Sequence, residues 1–245
     1  MFLSRVELDA RAQKHDAFWR EVSTPYGSHQ ALWSLLSRST GQKRDFLYRI
    51  EESSRQPTFL VLSAAPPTVP GDGMWQIESK EFTPALKSGQ RLAFRLRANP
   101  VVRRGERVPE RKNRKVQRHD VVMDLARRLE AEGRPVPPEQ ELVRGAGTIW
   151  LIAQGERAGF RLATTTVEEL ADDGLLETTE RPALRVEGYR QHRILRRGEQ
   201  PVRFSTLDFE GVLEVTDPTS FLARVAQGFG PQKAFGCGLM LLRRA

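Results

Sequence analysis

The clearest constraint on the fold is the segment Gln90–Ala98, in which apolar and mostly basic residues alternate one by one. Leu92, Phe94 and Leu96 fall on one side of an extended chain, whereas the intervening arginines fall on the other. A strand of this kind is half-buried, which is typical of antiparallel sheets. Runs of strongly apolar residues do not exceed four, as in Phe59–Leu62, so the sequence predicts no membrane span.

Short segments separated by Pro, Gly and polar turns make up most of the remaining chain. The pattern predicts strands over Phe2–Leu8, Asp45–Glu51, Thr58–Ala64, Met74–Phe82, Gln90–Ala98, Thr148–Ala153, Gly159–Thr165, Arg185–Ile194, Val202–Val215 and Ala234–Leu242. Helices are predicted from Pro25 to about residue 37, over Asp120–Glu132, and from Asp217-Pro218 to Gly228. The run 103–118 is predicted as a loop, and residues 166–183 as a segment without a regular pattern.

The order of these elements predicts the α+β class. The second half completes a βαββαβ arrangement, which is a ferredoxin-like sandwich of one sheet and two helices. The first half begins in the same order, but its second helix is missing or short. Because Pro84–Gly89 looks like a linker, we place the boundary between an N-terminal domain of residues 1–88 and a C-terminal domain of residues 89–245.

The charge of the chain points to a polyanionic partner. Lys and Arg total 39 against 31 Asp and Glu, giving a net charge of +8, and Arg supplies most of the excess. Codon bias is the alternative explanation for the Arg content, but it does not explain the segregation of charge. Residues 101–118 carry eight basic and two acidic side chains, residues 119–180 six and thirteen, and residues 185–203 six and two. Such blocks indicate one polyanion-binding face and a separate solvated face.

Several functional classes are excluded by composition. A single Cys allows no intrachain disulfide, and one Cys with four scattered His does not supply the usual ligands of a structural zinc site. The N-terminus meets charge at Arg5 and Glu7, so no secretory apolar stretch is predicted. Cys237, between two glycines, is interpreted as a small packing residue.

The helix that begins at Pro25 carries the first candidate site. Tyr26 and His29 are three residues apart, so they share a face in the first helical turn. An imidazole can donate or accept a proton near neutral pH, and a phenol can hold a phosphate oxygen or move a proton. The unpaired amides of a helix N-terminus favour a phosphate nearby. A capping or surface role for His29 is the alternative that composition leaves open.

The glycine-rich run 227–239 is the second candidate site. Its glycines, among them Gly228, Gly230 and Gly236, allow unusual backbone angles and the close approach of another backbone. With Lys233 between them, the run could cradle a nucleic-acid backbone, whereas a turn packed against the sheet is the structural alternative. The run lacks the P-loop pattern and precedes a strand, so it is not a dinucleotide-binding fingerprint.

The predicted hairpin between residues 185 and 215 has a basic tip at Arg196-Arg197. Such a tip could enter an RNA groove or line its phosphates, and a solvated hairpin end is the alternative. The aromatic signature of RRM proteins is absent from every predicted strand, so base stacking on an open sheet is not expected.

These segments together resemble the CasE (Cse) family, the CRISPR RNA-processing endoribonucleases of type I-E systems. The similarity runs nearly from end to end. It is carried by His29 followed by Leu32-Trp33, DFLYRIE at 45–51, FRLRANP at 94–100, FEGVLEV at 209–215 and GFGPQKAFGCGL at 228–239. The FRLRANP and glycine-rich motifs are the most specific of these.

The resemblance implies two tandem ferredoxin-like (βαββαβ, RRM-like) domains and cleavage of repeat RNA on the 3′ side of a stem-loop, without a metal or another cofactor. The 2′-hydroxyl attacks the adjacent phosphate and leaves a 2′,3′-cyclic phosphate and a 5′-hydroxyl. By resemblance, His29 is the leading general acid or base and Tyr26 is its partner.

The resemblance also implies a cation in the site. Some relatives carry a Lys about one turn after the His, where this chain has Ser34 and Ser37. Arg38, Lys43 or Lys233 could replace that Lys.

RNA binding is expected from the second domain by the same resemblance. The residues concerned are Arg103, Arg104, Arg111, Lys112, Arg114, Lys115, Arg118, Arg196, Arg197, Lys233, Gly228, Gly230 and Gly236. The expected partners are the CRISPR repeat RNA, the crRNA 3′ stem-loop on which the enzyme remains, and the other Cascade subunits. The implied location is the cytoplasm, without a membrane partner.

Two rival functions remain at this point. The absence of the helix Lys and the polar stretch 9–24 leave open a subunit that caps an RNA hairpin without cutting it. A metal-dependent nuclease is disfavoured, because acidic residues cluster in 119–180, away from the glycine-rich run in sequence.

Overall fold

The structure is a computed structural model, and it describes residues 1–9, 12, 22, 24–36, 45–51, 57–68, 70–71, 73–104, 117–170, 176–195 and 200–245. The elements of the N-terminal half are β1 (Phe2–Leu8), α1 (Pro25–Leu36), β2 (Phe46–Glu51), β3 (Thr58–Ser63) and β4 (Trp75–Glu81). Those of the C-terminal half are β5 (Arg91–Ala98), β6 (Val101–Arg104), β7 (Gln117–Asp120), α2 (Val121–Ala131), α3 (Glu139–Ala158), β8 (Phe160–Leu162), β9 (Thr164–Leu170), β10 (Leu176–Pro182), β11 (Leu184–Ile194), β12 (Val202–Val215), α4 (Pro218–Gln227), a 3-10 turn (Lys233–Phe235) and β13 (Met240–Arg244).

The N-terminal sheet has the strand order β2-β3-β1-β4, and every neighbouring pair is antiparallel. This is the order of a ferredoxin-like sheet, in which the first strand lies between the third and the fourth. Leu32 and Leu35 of α1 pack with Val6 and Phe59 of the sheet in a core from which solvent is excluded. The described residues between β3 and β4 contain no helix.

The C-terminal sheet repeats this order as β11-β12-β5-β13, again with antiparallel neighbours. The short strand β8 pairs with the far end of β12, so β8 and β11 share one edge of the sheet. Trp150 of α3 and Phe221 of α4 pack with Leu96 and Phe209 in the core of this half. The α+β class and the two tandem ferredoxin-like folds expected from the sequence are therefore confirmed.

Strand β5 confirms the alternation from which its position was predicted. Leu92 and Leu96 are buried, whereas Arg91 and Arg95 are exposed. Each strand of the N-terminal sheet also lies within one or two residues of its predicted bounds, because period-two burial is a local property of the sequence.

The two sheets meet through the faces that carry no helices. Asp208 of β12 accepts two hydrogen bonds of 3.0 Å from Arg97 of β5, and its carboxylate lies 3.8 Å from the guanidinium of Arg49 in β2. Arg95 extends the network to Glu51, at 3.7 Å. The basic outer face predicted for β5 is thus partly neutralised between the sheets.

The prediction of a strand over Thr148–Ala153 is wrong, because these residues form the middle of the 20-residue helix α3. A short apolar run does not by itself distinguish a buried strand from a buried helix. The helical spacing becomes visible only when Leu142, Val143 and Ala146, which are buried on the same side as Trp150, are included.

Three further predictions need correction. The segment 166–183, expected to lack regular structure, forms most of the antiparallel pair β9 and β10, whose threonines favour strands. The run 103–118 is not a loop throughout, because β6 and β7 pair at its two ends; residues 105–116 lie outside the described residues. The last strand begins at Met240, not at Ala234, since positive φ angles at Gly236 and Gly238 interrupt the extended chain.

No helix in the described part of the chain is both long enough and apolar enough to cross a membrane.

The glycine that ends α3 offers a test of the packing between α3 and α4. Gly159 has φ of 74°, and a Cβ at this position would lie 2.5 Å from the carbonyl oxygen of Asp217. Gly133 also has a positive φ, 67°, but nothing lies within 4 Å of its Cβ position. We expect Gly159→Ala to lower the free energy of unfolding by about 3 kcal/mol and Gly133→Ala by about 1 kcal/mol. Chemical denaturation measures both, and equal losses would contradict the close contact.

Candidate active site and nucleic-acid interface

The first turn of α1 is anchored by side chains on both sides of its start. Thr24 caps the helix, since its hydroxyl oxygen accepts a hydrogen bond of 3.0 Å from the Gly27 amide. Ser28, which is buried, donates its hydroxyl proton to the carbonyl oxygen of Val22 at 2.5 Å. These bonds fix the direction in which the next residues project.

His29 lies on an aromatic platform at the edge of the N-terminal sheet. Its imidazole is nearly parallel to the ring of Tyr48, with centroids 6.4 Å apart and an interplanar angle of 17°. Phe46 stacks at 6.0 Å, and Trp33 meets the imidazole edge-on at 5.9 Å. His29 is half-buried, and Tyr26, one turn earlier, is 44% exposed. Of the predicted pair, Tyr26 is thus open to solvent, whereas His29 is partly covered and its Nδ1 atom is buried.

The platform is joined to the glycine-rich run by one hydrogen bond. The hydroxyl of Tyr48 donates to the carbonyl oxygen of Ala234 at 2.7 Å. Helix α1 and strand β2 both contact the 3-10 turn that contains Ala234. The two candidate sites that the sequence analysis found separately are therefore adjacent.

The glycines of this run pack closely against other segments of the chain. Gly228 has φ of 78°, and a Cβ there would lie 2.8 Å from Leu47. Gly230 has φ of 70°, and its Cβ would lie 2.7 Å from the carbonyl oxygen of Asn99. Gly236, with φ of 75°, lies against the ring of Tyr48. Their conformational freedom thus serves the packing of the run between the two sheets.

A basic cleft of about 710 Å³ opens beside this run. It brings together five of the residues predicted to bind RNA: Arg103, Arg118, Gly228, Gly230 and Lys233. The amine of Lys233 also donates a hydrogen bond to the carbonyl oxygen of Gln227. We use the name basic cleft for this cavity, which lies between the β6–β7 hairpin, α2, α3, α4 and the glycine-rich run.

Sequence analysis missed three basic residues of the basic cleft. Arg128, Arg157 and Arg224 come from α2, α3 and α4, and Asp124 is the acidic residue that lines the same cavity. Arg157 was missed because a strand was predicted over Thr148–Ala153. A 20-residue helix starting near Glu139 would have placed Arg157 in its last turn. The convergence of the three helices has no signal in the sequence.

A second groove of about 710 Å³ also borders the β6–β7 hairpin and shares Val101, Arg118 and Pro231 with the basic cleft. Arg193 and Arg203 of the ribbon formed by β11 and β12 line it, together with Tyr189. Burial is the main reason why the pKa of Tyr189 is raised, so this phenol stays protonated and can donate a hydrogen bond. We call the two cavities together the cationic path, because they share Arg118 and arginines line both, with Asp120 as the acidic residue of the second groove.

Several predicted residues lie outside the described part of the chain. These are Arg111, Lys112, Arg114, Lys115, Arg196 and Arg197, together with the alternative cations Arg38 and Lys43. Of Arg104 only the backbone, in β6, is described. The ribbon that leads to the predicted tip is in place, since Ile194 pairs with Val202.

Cys237 is buried, and this burial raises the pKa of its thiol to about 12. We expect it to stay unmodified by a thiol reagent at about pH 8 in the folded protein and to react rapidly in denaturant. Time-resolved absorbance of the released chromophore measures both rates. Fast labelling of the folded protein would contradict a packing role.

These observations define the class of the protein as an α+β chain of two ferredoxin-like folds, with a half-buried histidine whose aromatic support contacts the turn that lines the cationic path. The family model described as CRISPR associated protein matches residues 1–244, and the chain belongs to this family.

Two relatives and one solved structure make the similarity concrete. The CRISPR-associated endoribonuclease Cse3 of Thermus thermophilus is 31% identical over 251 residues, which cover 98% of each chain. The CRISPR system Cascade subunit CasE of Escherichia coli is 28% identical over 244 residues, covering 99% of this chain and 98% of the relative. The structure of Thermus thermophilus Cse3 bound to an RNA representing a pre-cleavage complex has a TM-score of 0.65 and 29% identity, and covers 99% and 98% of the two chains. The resemblance to the CasE (Cse) family is thus confirmed.

Proposed function

We propose that the protein is a metal-independent endoribonuclease that binds the stem-loop of a CRISPR repeat and cuts at its 3′ base. The product would carry a 2′,3′-cyclic phosphate, and the second fragment a 5′-hydroxyl. The observation that carries this proposal is the contact between the platform of His29 and the glycine-rich run, whose Lys233 lines the basic cleft. A proton-transfer group and a cationic RNA-binding surface are adjacent in this arrangement.

The chemistry requires two proton transfers and one charge stabiliser. A base removes the proton of the 2′-hydroxyl, whose oxygen forms a bond to phosphorus, and an acid protonates the departing 5′-oxygen. His29 and Tyr26 fill these two roles, in an order that the residues alone leave open. Lys233 is the described candidate for the cation that stabilises the phosphorane, because its turn contacts α1.

In this proposal, the cationic path binds the RNA. Duplex RNA is recognised mainly through its shape, phosphates and 2′-hydroxyls, and arginine presents a planar fork to phosphate oxygens. The arginines of the basic cleft and of the second groove line two cavities that both border the β6–β7 hairpin. Arg111, Lys112, Arg114, Lys115, Arg196 and Arg197 extend this surface in our proposal.

We further propose that the protein remains on the crRNA 3′ stem-loop and joins the other Cascade subunits in the cytoplasm. Full-length similarity to a relative described as a Cascade subunit supports this assembly. The connection between β4 and β5 supports a boundary between domains 1–88 and 89–245, since no helix or strand is found in residues 82–90.

The central test is the substitution His29→Ala. We expect cleavage of the cognate stem-loop in excess EDTA to slow by about 10²- to 10⁴-fold, because a general acid or base is lost. Binding should persist, since the cationic path is unchanged. Single-turnover cleavage and filter binding measure the two quantities, and analysis of the product termini identifies the cyclic phosphate.

Gln30→Ala is the matched control, because Gln30 is the next residue of the same helix and is exposed. It should cleave at the wild-type rate. Undiminished cleavage by His29→Ala would refute the assigned role. Binding without any product from the wild type would instead favour the hairpin-capping subunit, and activity restored only by Mg²⁺ or Mn²⁺ would favour a metal-dependent nuclease.

The cationic path is tested by Arg118→Ala, because Arg118 lines both cavities. We expect weaker binding of the stem-loop and a slope of log Kd against log salt that is smaller by about 0.7 to 0.9, as for one lost phosphate contact. Arg161→Ala is the control, since Arg161 pairs with Glu214 at 2.7 Å and lines neither cavity. Equal salt slopes for wild type and Arg118→Ala would place the RNA elsewhere.

A further inference from the structure

The 3-10 turn Lys233–Phe235 touches three different parts of the molecule through three consecutive residues. Lys233 lines the basic cleft. The carbonyl oxygen of Ala234 accepts the hydrogen bond from Tyr48, whose ring contacts and is nearly parallel to that of His29. The ring of Phe235 stacks on Phe204 of β12, with centroids 5.2 Å apart and an interplanar angle of 20°. One short turn thus connects the basic cleft, the platform of His29 and the β11–β12 ribbon.

On the side of the active site, the connection is tight. Tyr48 has no exposed surface, so its ring cannot shift without displacing its neighbours in a close-packed core. Its hydroxyl is bonded to Ala234 and its ring is nearly parallel to the imidazole of His29. Ala234 and the aromatic support of His29 are therefore directly connected through Tyr48.

On the side of the ribbon, Phe204 lies between two other rings. His192, its cross-strand partner in β11, stacks on it at 4.8 Å and 19°. His192 also forms a hydrogen bond of 2.9 Å with Thr206 of β12. The ladder His192–Phe204–Phe235 therefore connects the turn to the ribbon close to its tip, two residue pairs from the last pair, Ile194 with Val202.

The backbone on both sides of the turn is in the left-handed region. Gln232, which precedes the turn, has φ of 58°, and Gly236, which follows it, has φ of 75°. Gln232 is the one non-glycine residue with positive φ in the described part of the chain. Such a conformation persists where the surrounding contacts over-determine it. The turn is thus a single, defined link between its three contacts.

We propose that this turn couples RNA binding on the ribbon to the placement of His29, with Tyr48 and Phe235 as positioning residues. The proposal rests on the endoribonuclease function proposed above. It adds the contacts through which the bound stem-loop and the imidazole of His29 are positioned relative to each other. Neither side chain touches the reacting atoms. Each acts by fixing the turn, Tyr48 from the catalytic side and Phe235 from the ribbon side.

The experiment compares Tyr48→Phe, Phe235→Leu and the double variant with the wild type. We expect each single substitution to lower the single-turnover rate at saturating stem-loop RNA by about tenfold, because small misplacements of a catalytic group are costly. The Kd should change by less than about twofold, and the double variant should be hardly slower than either single one, because both break the same link. Tyr48→Phe should also shift the pH–rate profile.

Ser63→Ala is the matched control. Its hydroxyl donates to the carbonyl oxygen of Ala65 at 2.6 Å, so the substitution removes the same kind of hydrogen bond from the same sheet, away from the turn. We expect Ser63→Ala to lower the thermal midpoint. Its single-turnover rate and its pH–rate profile should equal those of the wild type. If Phe235→Leu does not fold, the coupling is tested by comparing the rates and the pH–rate profiles of Tyr48→Phe and Ser63→Ala.

The outcomes separate the two proposals. Unchanged rates in the variants, or effects of the two substitutions that multiply fully in the double variant, overturn the coupling while the endoribonuclease function stands. A control that loses as much of its rate as the two variants, for an equal loss in thermal midpoint, also overturns the coupling. A wild type that binds the stem-loop but never cleaves it overturns the function, and the coupling with it.

Discussion

The close approach of the glycine-rich run to edge strand β2 is the constraint on which the rest of the structure depends. A Cβ at Gly228 would lie 2.8 Å from the side chain of Leu47, whereas Gly236 is in ordinary contact with Tyr48 and is favoured there by its φ of 75°. With the run in this position, the hydroxyl of Tyr48 reaches the carbonyl oxygen of Ala234. A segment near the C-terminus thereby lies beside the helix that carries His29, and Lys233 of the same segment lines the basic cleft.

Arginine serves two separate purposes in this architecture. Between the sheets, Arg97 and Arg49 share the carboxylate of Asp208, and these ion pairs connect the two folds. Around the basic cleft, arginines from α2, α3, α4 and the β6–β7 hairpin face Asp124 as the acidic lining residue of that cavity. In the described part of the chain, arginines therefore gather around the cleft and its neighbouring groove, whereas those of β5 are partly neutralised by carboxylates. This division explains how a chain with abundant Glu and Asp can still present a cationic path.

The arrangement suits a reaction that is catalysed by the positioning of the reacting groups and by proton transfer. His29 is supported by three aromatic rings and by a helix whose first turn is capped by Thr24, so few of its degrees of freedom remain. The RNA-binding groups come from other elements, several of them on helices that pack on the C-terminal sheet. Rigid elements hold such groups more accurately than loops do. The turn Lys233–Phe235 is the place where the two sets of elements meet.

Local patterns in the sequence determined most of the strands, the start of α1, the cap of α4 and the segregation of charge, because each depends on residues within one or two turns or on a period of two. The same patterns identified His29, Tyr26 and the glycine-rich run as candidates, and the family resemblance supplied their roles. They failed at α3, where a short apolar run is equally compatible with strand and helix, and so Arg157 was missed. Only the tertiary structure decided which sheet faces meet, which arginines pair with carboxylates, and that Tyr48 reaches Ala234, 186 residues further along the chain. Contacts over such separations depend on how whole sheets and helices pack, and no local property of the sequence encodes that packing.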